Sequence, residues 1–165
     1  MRKQLSPQPD ARSPVPRDWL DLVRIATVTL TSEDPDFPIE NALDLDDGTR
    51  GWRAAGPGQQ SIRLVFDSPQ RVRRIHVHFV EPAATRTQEI ALAWAADPEA
   101  ESLRELLRQQ WNFSAQGSSE EIEGWDVDLP SVAVIELRVT PDIGNTATQG
   151  PGAIATLKAL RVAAA

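Results

Sequence analysis

The chain has 165 residues, 41% of them hydrophobic, which is enough to fill the core of one domain. Its net charge of −7 argues against nucleic acid and anionic membrane surfaces as partners. The sequence contains no cysteine, which excludes disulfides, thiolate metal sites and thiol nucleophiles and is compatible with a reducing compartment.

The first eighteen residues form a polar segment that contains four prolines. No apolar run in this segment could serve as a signal-peptide core or a membrane span, so we expect a cytoplasmic protein. The composition predicts a disordered, proline-rich arm over residues 1–18 and a folded domain over residues 19–165. A short docking peptide for another protein is the alternative interpretation of the arm.

The segments that follow the arm predict β-strands. Residues 23–31 (VRIATVTLT) are rich in β-branched side chains and predict a first strand that ends at a turn cluster over residues 32–38. Residues 60–67 and 74–81 alternate apolar and polar side chains, which is the period of a half-buried strand. We therefore expect two adjacent strands joined by a turn at residues 69–71.

The second half of the chain continues this pattern. Residues 87–95 alternate again and place Trp94 on the apolar face, where we expect it to be buried. Residues 102–109 differ, because three leucines at i, i+3 and i+4 fit a short helix, although a strand leading into residues 110–113 fits equally. The remaining predicted strands cover residues 121–129, 132–140 and 154–162, with turns at Pro130, Pro141 and residues 144–152.

These elements together predict an all-β domain. About seven short strands separated by proline and glycine turns favour an antiparallel β-sandwich over βαβ units. We expect the strands to be arranged as a jelly roll. No internal repeat is visible at a fixed period, which argues against propellers and solenoids.

One segment, residues 41–52 (NALDLDDGTRGW), resembles the discoidin, or coagulation-factor type C, signature. It has an Asn-Ala-Leu-Asp element, an acidic turn with a glycine, and then Thr and Trp before a strand. The resemblance implies a galactose-binding-like sandwich and a non-catalytic module that binds sugars, phospholipid head groups or proteins through loops at one end. Further segments in the order of such domains are residues 61–67, 69–79, 110–113 and 157–162, so that the resemblance covers residues 22–163.

The acidic turn has two interpretations. Its oxygen-bearing side chains suit a hard cation such as calcium, and Gly48 lets the chain bend tightly. Similar domains complete a calcium site with an acidic residue in the last strand, where this chain has Lys158 instead. We therefore favour a solvated turn whose aspartates cap backbone groups, and expect no cofactor. The candidate calcium ligands are Asp44, Asp46, Asp47 and Thr49.

His76 and His78 lie two residues apart on a predicted strand, so they share one face. With Glu81 or Glu89 as a third ligand they could hold zinc or a similar metal. We favour two surface histidines on an outer sheet face, because no third-ligand motif accompanies them.

Sugar recognition needs an aromatic ring together with polar or charged side chains that bind hydroxyl groups. Predicted loops at residues 50–58, 81–88 and 142–149 supply such side chains, although the residue set of better-known galactose binders is not evident. Arg86 paired with a nearby carboxylate as structural support fits as well as Arg86 bound to a ligand. The predicted ligand-binding residues are Arg50, Trp52, Arg53, Arg86 and Gln88.

The sequence carries no recognisable catalytic motif. It has no Gly-x-Ser-x-Gly elbow, no phosphate-binding glycine loop with lysine and no zinc-protease helix. We therefore predict a non-catalytic recognition module that binds a carbohydrate or glycan-like ligand. An intracellular protein-protein interaction or assembly subunit is the alternative, indicated by the proline-rich arm and by the absence of a signal-peptide pattern.

Overall fold

A computed structural model describes residues 19–46, 50–81, 85–114, 116–144 and 153–165. The predicted arm, residues 1–18, lies outside the described residues. No helix within the described ranges is long and apolar enough to cross a bilayer. In chain order the elements are α1 (Leu22–Ile25), β1 (Ala26–Leu30), α2 (Glu40–Leu43), β2 (Trp52–Pro57), β3 (Gln60–Val80), β4 (Arg86–Ala95), β5 (Arg104–Phe113), β6 (Glu120–Thr140), β7 (Ile154–Leu157) and β8 (Ala159–Ala163).

The strands form an antiparallel β-sandwich of the jelly-roll type, as the sequence predicted. The larger sheet has the order β1-β3-β6-β4-β5, with β8 paired to β3 off this path. A second sheet consists of β2 and β7. Every strand pair within these two sheets is antiparallel.

The longest strands, β3 and β6, correct one prediction. The turn expected at residues 69–71 does not separate two strands, because β3 runs through it for 21 residues. Its register with β6 shifts between Val65 and Arg74, as expected where a chain passes an irregularity without leaving the ladder. Pro69 has no backbone N–H to donate, and such positions tolerate proline.

The same correction applies to β6, which includes the two strands predicted on either side of Pro130. The two halves of β3 also have different neighbouring strands. The first half of β3 pairs with β1, whereas its second half pairs with β8. The long β3-β6 ladder therefore connects β1 with β8, whereas the sequence predicted separate short strands.

Two further elements differ from their predictions, and the open choice at a third is decided. The first predicted strand begins only at Ala26, because the preceding residues form the helical turn α1. Residues 104–113 form a strand, which settles the choice between helix and strand for that segment. The predicted last strand is interrupted at Lys158, so that β7 pairs with β2 while β8 pairs with β3.

The core follows the predicted alternation in both halves of β3. Ile62 and Leu64 from the first half and Ile75 and Val77 from the second half are fully buried in one apolar cluster. Each such side chain contributes about 1.5–3 kcal/mol through burial. Trp94 is only half-buried, contrary to our expectation, although it packs against this cluster. The guanidinium carbon of Arg104, its β5 partner, lies 5.6 Å from the ring centroid.

Candidate functional site

A cavity of about 660 Å³ lies beside the small β2-β7 sheet. This volume falls within the range of small-molecule sites in proteins. The cavity is bounded by both strands of this sheet, the turn before α2, and the end of β3. Its lining residues are Phe37, Arg50, Trp52, Arg53, Val80, Glu81, Ile154, Thr156, Leu157 and Lys158.

Gly51 places the two strands that form this cavity close together. Its φ of +77° is a conformation that L side chains rarely adopt. A Cβ atom there would lie 2.6 Å from the carbonyl oxygen of Leu157. The side chain of Asn41 in α2 donates a hydrogen bond to the Gly51 carbonyl at 3.1 Å. Only glycine therefore fits between Arg50 and Trp52 without moving β7.

A buried arginine of β8 donates a hydrogen bond to the helical turn α2. Arg161 of β8 donates hydrogen bonds to the carbonyl oxygens of Ala42, at 2.8 Å, and Leu160, at 3.0 Å. Because the last carbonyls of a helix lack partners within the helix, this contact satisfies one of them. The fold thus connects the main sheet to the wall of the cavity through α2.

Trp52 forms part of the cavity wall and also belongs to the core, with 1% of its surface exposed. Its indole Nε1 is buried and has no hydrogen-bond partner among the described residues. A buried N–H without an acceptor costs free energy, so this nitrogen is a polar group that the described part of the fold leaves unsatisfied.

Two arginines converge on one aromatic ring at the cavity. The guanidinium carbons of Arg50 and Arg53 lie 4.4 Å and 4.0 Å from the centroid of the Phe37 ring. Contacts of this kind are attractive because the face of the ring carries partial negative charge. Both arginine side chains are exposed, whereas Phe37 is half-buried. The ring therefore orders two cations at the mouth of the cavity.

A buried ionic network lies behind the lining. Arg86, 3% exposed, contacts the carboxylate of Glu81 at 3.4 Å and donates hydrogen bonds to the Ile154 carbonyl at 2.7 Å and to Gln88 Oε1 at 2.8 Å. Burial lowers the pKa of the Arg86 guanidinium, while the charges of Glu81 and Asp142 oppose that shift. Arginine stays protonated in proteins, so Arg86 acts as a fixed internal cation.

The structure brings together three of the five predicted ligand-binding residues. Arg50, Trp52 and Arg53 line one cavity, although Trp52 and Arg53 lie in β2 rather than in a loop. Arg86 and Gln88 are buried in β4 outside the lining, where the loop expected at residues 81–88 is replaced by a strand from Arg86 onward. The structural pairing of Arg86 with a carboxylate, which the sequence left open, is present.

The sequence reasoning missed Phe37 and Lys158 as lining residues. Phe37 lies in a turn cluster of polar residues, and an aromatic residue in such a turn is a signal that would have drawn attention to it. Lys158 interrupts an otherwise alternating strand pattern between Leu157 and Ala159. No sequence signal specifies that this interruption faces β2.

The acidic turn is only partly described. Asp44 and Asp46 are exposed, and Asp44 Oδ1 accepts a hydrogen bond from the Asp46 backbone N–H at 3.0 Å. Asp47 and Thr49 lie outside the described residues. No group of three His, Asp or Glu residues that could hold a metal occurs in the described part of the chain. The preference for a solvated turn over a calcium site stays a prediction.

The histidines are half-buried and have other contacts. His78 Nε2 lies 2.8 Å from Glu120 Oε1, and the His76 ring lies 5.8 Å from the ring of Trp19. The two carboxylates considered as third ligands are engaged by arginines, Glu81 by Arg86 and Glu89 by Arg108. The described geometry therefore offers no support for a metal centre at this pair.

Solved structures share this fold at low sequence identity. The family 32 carbohydrate-binding module of AlyQ, in complex with 4,5-unsaturated mannuronic acid, has a TM-score of 0.60 and 19% identity over 86% of this chain and 96% of that one. The family 32 module of NanJ from C. perfringens, in complex with galactose, has a TM-score of 0.59 and 16% identity over 88% and 97%. A third such module, from a family 31 glycoside hydrolase of Clostridium perfringens, has a TM-score of 0.62 and 18% identity over 89% of this chain and 95% of that one.

No protein-family model matches the chain, and a search of curated proteins finds no match. The structural similarity therefore defines the fold. The chain has the galactose-binding-like, or discoidin-like, β-sandwich fold that the segment at residues 41–52 implied.

Proposed function

We propose that this chain is a non-catalytic recognition module that binds a carbohydrate in the cavity beside β2 and β7. The observation that carries the proposal is the convergence of Arg50, Trp52 and Arg53 with Phe37 on one cavity of about 660 Å³. Aromatic surface combined with a few directed polar groups is the usual composition of such sites.

The structural neighbours support a sugar ligand. Solved modules with the same fold are complexes with galactose, with GalNAc-β-1,3-galactose and with 4,5-unsaturated mannuronic acid, and another is a pectin-binding module.

The composition of the lining supports binding without catalysis. Glycoside hydrolysis ordinarily requires two carboxylates that flank the scissile bond. Among the described lining residues only Glu81 carries a carboxylate, and Arg86 lies 3.4 Å from it in the protein interior. This arrangement suits a fixed charge pair better than a proton donor.

The test is a glycan array followed by calorimetry on each hit, with a variant that fills the cavity. Thr156→Trp introduces a large side chain into the lining, so affinity should fall by about tenfold or more. Thr27→Trp, on the exposed face of β1, is the matched control and should bind as the parent chain does.

Melting curves must show that both variants fold. The proposal is wrong if the array gives no hits, or if Thr156→Trp retains full affinity. A stoichiometric protein partner recovered in the absence of any glycan hit would favour the assembly role instead.

A further inference from the structure

We infer that the cavity selects a sugar that carries a carboxylate, a uronate, over the corresponding neutral sugar. This inference rests on the proposed function and adds the chemical class of the ligand. It follows from the charge of the lining, which carries Arg50, Arg53 and Lys158 against the single carboxylate of Glu81. A cationic site on a chain of net charge −7 runs against the average of its surface.

The carboxylate of Glu81 does not offset these cations. Glu81 is 5% exposed, and the guanidinium of Arg86 lies 3.4 Å from it behind the lining. The two opposite charges are buried together, so they cancel at any distance beyond a few ångströms. The exposed charges that the described lining presents at the mouth, those of Arg50 and Arg53, are therefore positive.

The two arginines at the mouth differ from most of the described arginines in their contacts. Most of the other described arginines contact a carboxylate within 4.0 Å. No described carboxylate lies within that distance of Arg50 or Arg53. Within the described ranges, both guanidinium groups contact the ring of Phe37 instead, which attracts them but carries no net charge.

Contact with an aromatic face leaves the N–H donors of a guanidinium available. Arginine carries five such donors in a planar fork that matches the two oxygens of a carboxylate. Pairs of this kind are shorter and about twice as strong as neutral hydrogen bonds. Because Phe37 already orders both side chains, a uronate would bind them with little additional loss of rotamer freedom.

The experiment compares acid and ester forms of the same oligosaccharides by calorimetry. Trigalacturonate and trimannuronate are the acidic probes, and their methyl esters are neutral probes of nearly the same shape. We expect at least one acid to bind about tenfold tighter than its ester, and the preference to weaken as salt is raised from low to high concentration.

Variants of Arg53 test whether the arginines at the mouth cause the preference. Arg53→Ala should lower the affinity for the acid by about tenfold while affecting the ester little. Arg53→Lys keeps the charge but loses the planar fork, so its affinity for the acid should lie between those of the parent chain and Arg53→Ala. Arg73→Ala is the matched control, because it changes the net charge equally at an exposed site beside Asp128.

The outcomes separate this inference from the proposed function. Equal binding of acid and ester, tighter binding of a sulfated galactotriose, or an unchanged preference in Arg53→Ala overturns the uronate assignment and leaves carbohydrate binding standing. Failure of every oligosaccharide, including the hits of the glycan array, overturns both.

Discussion

The close approach of Gly51 to β7 predicts that Gly51→Ala destabilises the fold, and alanine substitutions at two other glycines serve as comparisons. Gly51→Ala would place a Cβ atom 2.6 Å from the Leu157 carbonyl oxygen and 3.0 Å from Lys158 Cα. A positive φ costs an L-residue about 1–2 kcal/mol, and forcing an extra methyl group into a packed site costs about 1–3 kcal/mol. We therefore expect a loss of about 2–5 kcal/mol, or about 5–15 °C in Tm for a domain of this size.

Two other glycines separate these contributions. Gly58 has a φ of +94°, but a Cβ atom there would have no neighbouring atom within 4 Å, so Gly58→Ala should show the conformational cost alone, about 1–2 kcal/mol. Gly56 has open space and no positive φ, so Gly56→Ala should be neutral or stabilise by up to about 1 kcal/mol.

Thermal melts of the three variants, with oligosaccharide binding measured in parallel, check this order. Gly51→Ala should also weaken binding, because β7 must move away from β2 to admit the methyl group. If Gly51→Ala melts within a degree of Gly58→Ala, the contact with Leu157 imposes no constraint and our account of how the cavity is positioned is refuted.

Two further predictions concern charges near the cavity. Arg86→Met leaves Glu81 buried without the Arg86 cation and should lower the free energy of unfolding, measured with urea, by about 3–5 kcal/mol. The double variant Arg86→Met, Glu81→Gln should recover part of that loss, and equal stabilities of the single and double variants would contradict this account. Millimolar calcium or chelator should leave Tm unchanged, because the Asp44 carboxylate already accepts a hydrogen bond from a backbone N–H. A chelator-sensitive Tm would show a calcium site in the acidic turn, since calcium at a hundredfold excess over its Kd would stabilise the fold by about 2.7 kcal/mol.

The strands were predictable where one side chain in two faces the core. Ile62 and Leu64, like Ile75 and Val77, alternate with polar residues, and all four are buried as expected. The same period extends back from Ile90 through the polar residues at positions 88 and 86, which are buried too. We placed Arg86 in a loop, and Gln88 both in the strand predicted from residue 87 and in the candidate ligand loop at residues 81–88, although the alternation already indicated an inward orientation for both side chains.

What the sequence could not supply was the partner of each strand. Proline at position 69 predicts a turn locally, yet whether the chain reverses or passes through a bulge depends on β6, which lies more than 50 residues away. The site was limited in the same way. The residues around Arg50 and Trp52 carry a family resemblance, but the position of Phe37 opposite them is set by tertiary contacts alone. The cytoplasmic location and the role of the arm stay predictions.

The small size of the β2-β7 sheet has a consequence for how such a protein can change over time. The core and the long β3-β6 ladder hold the sandwich together, whereas the exposed parts of the cavity wall belong to short elements beside it. Substitutions at Arg50, Arg53 or Lys158 change the charge of the proposed binding cavity and leave the long ladder untouched. Ligand preference can therefore diverge between descendants, or be redesigned in the laboratory, while the architecture is inherited intact.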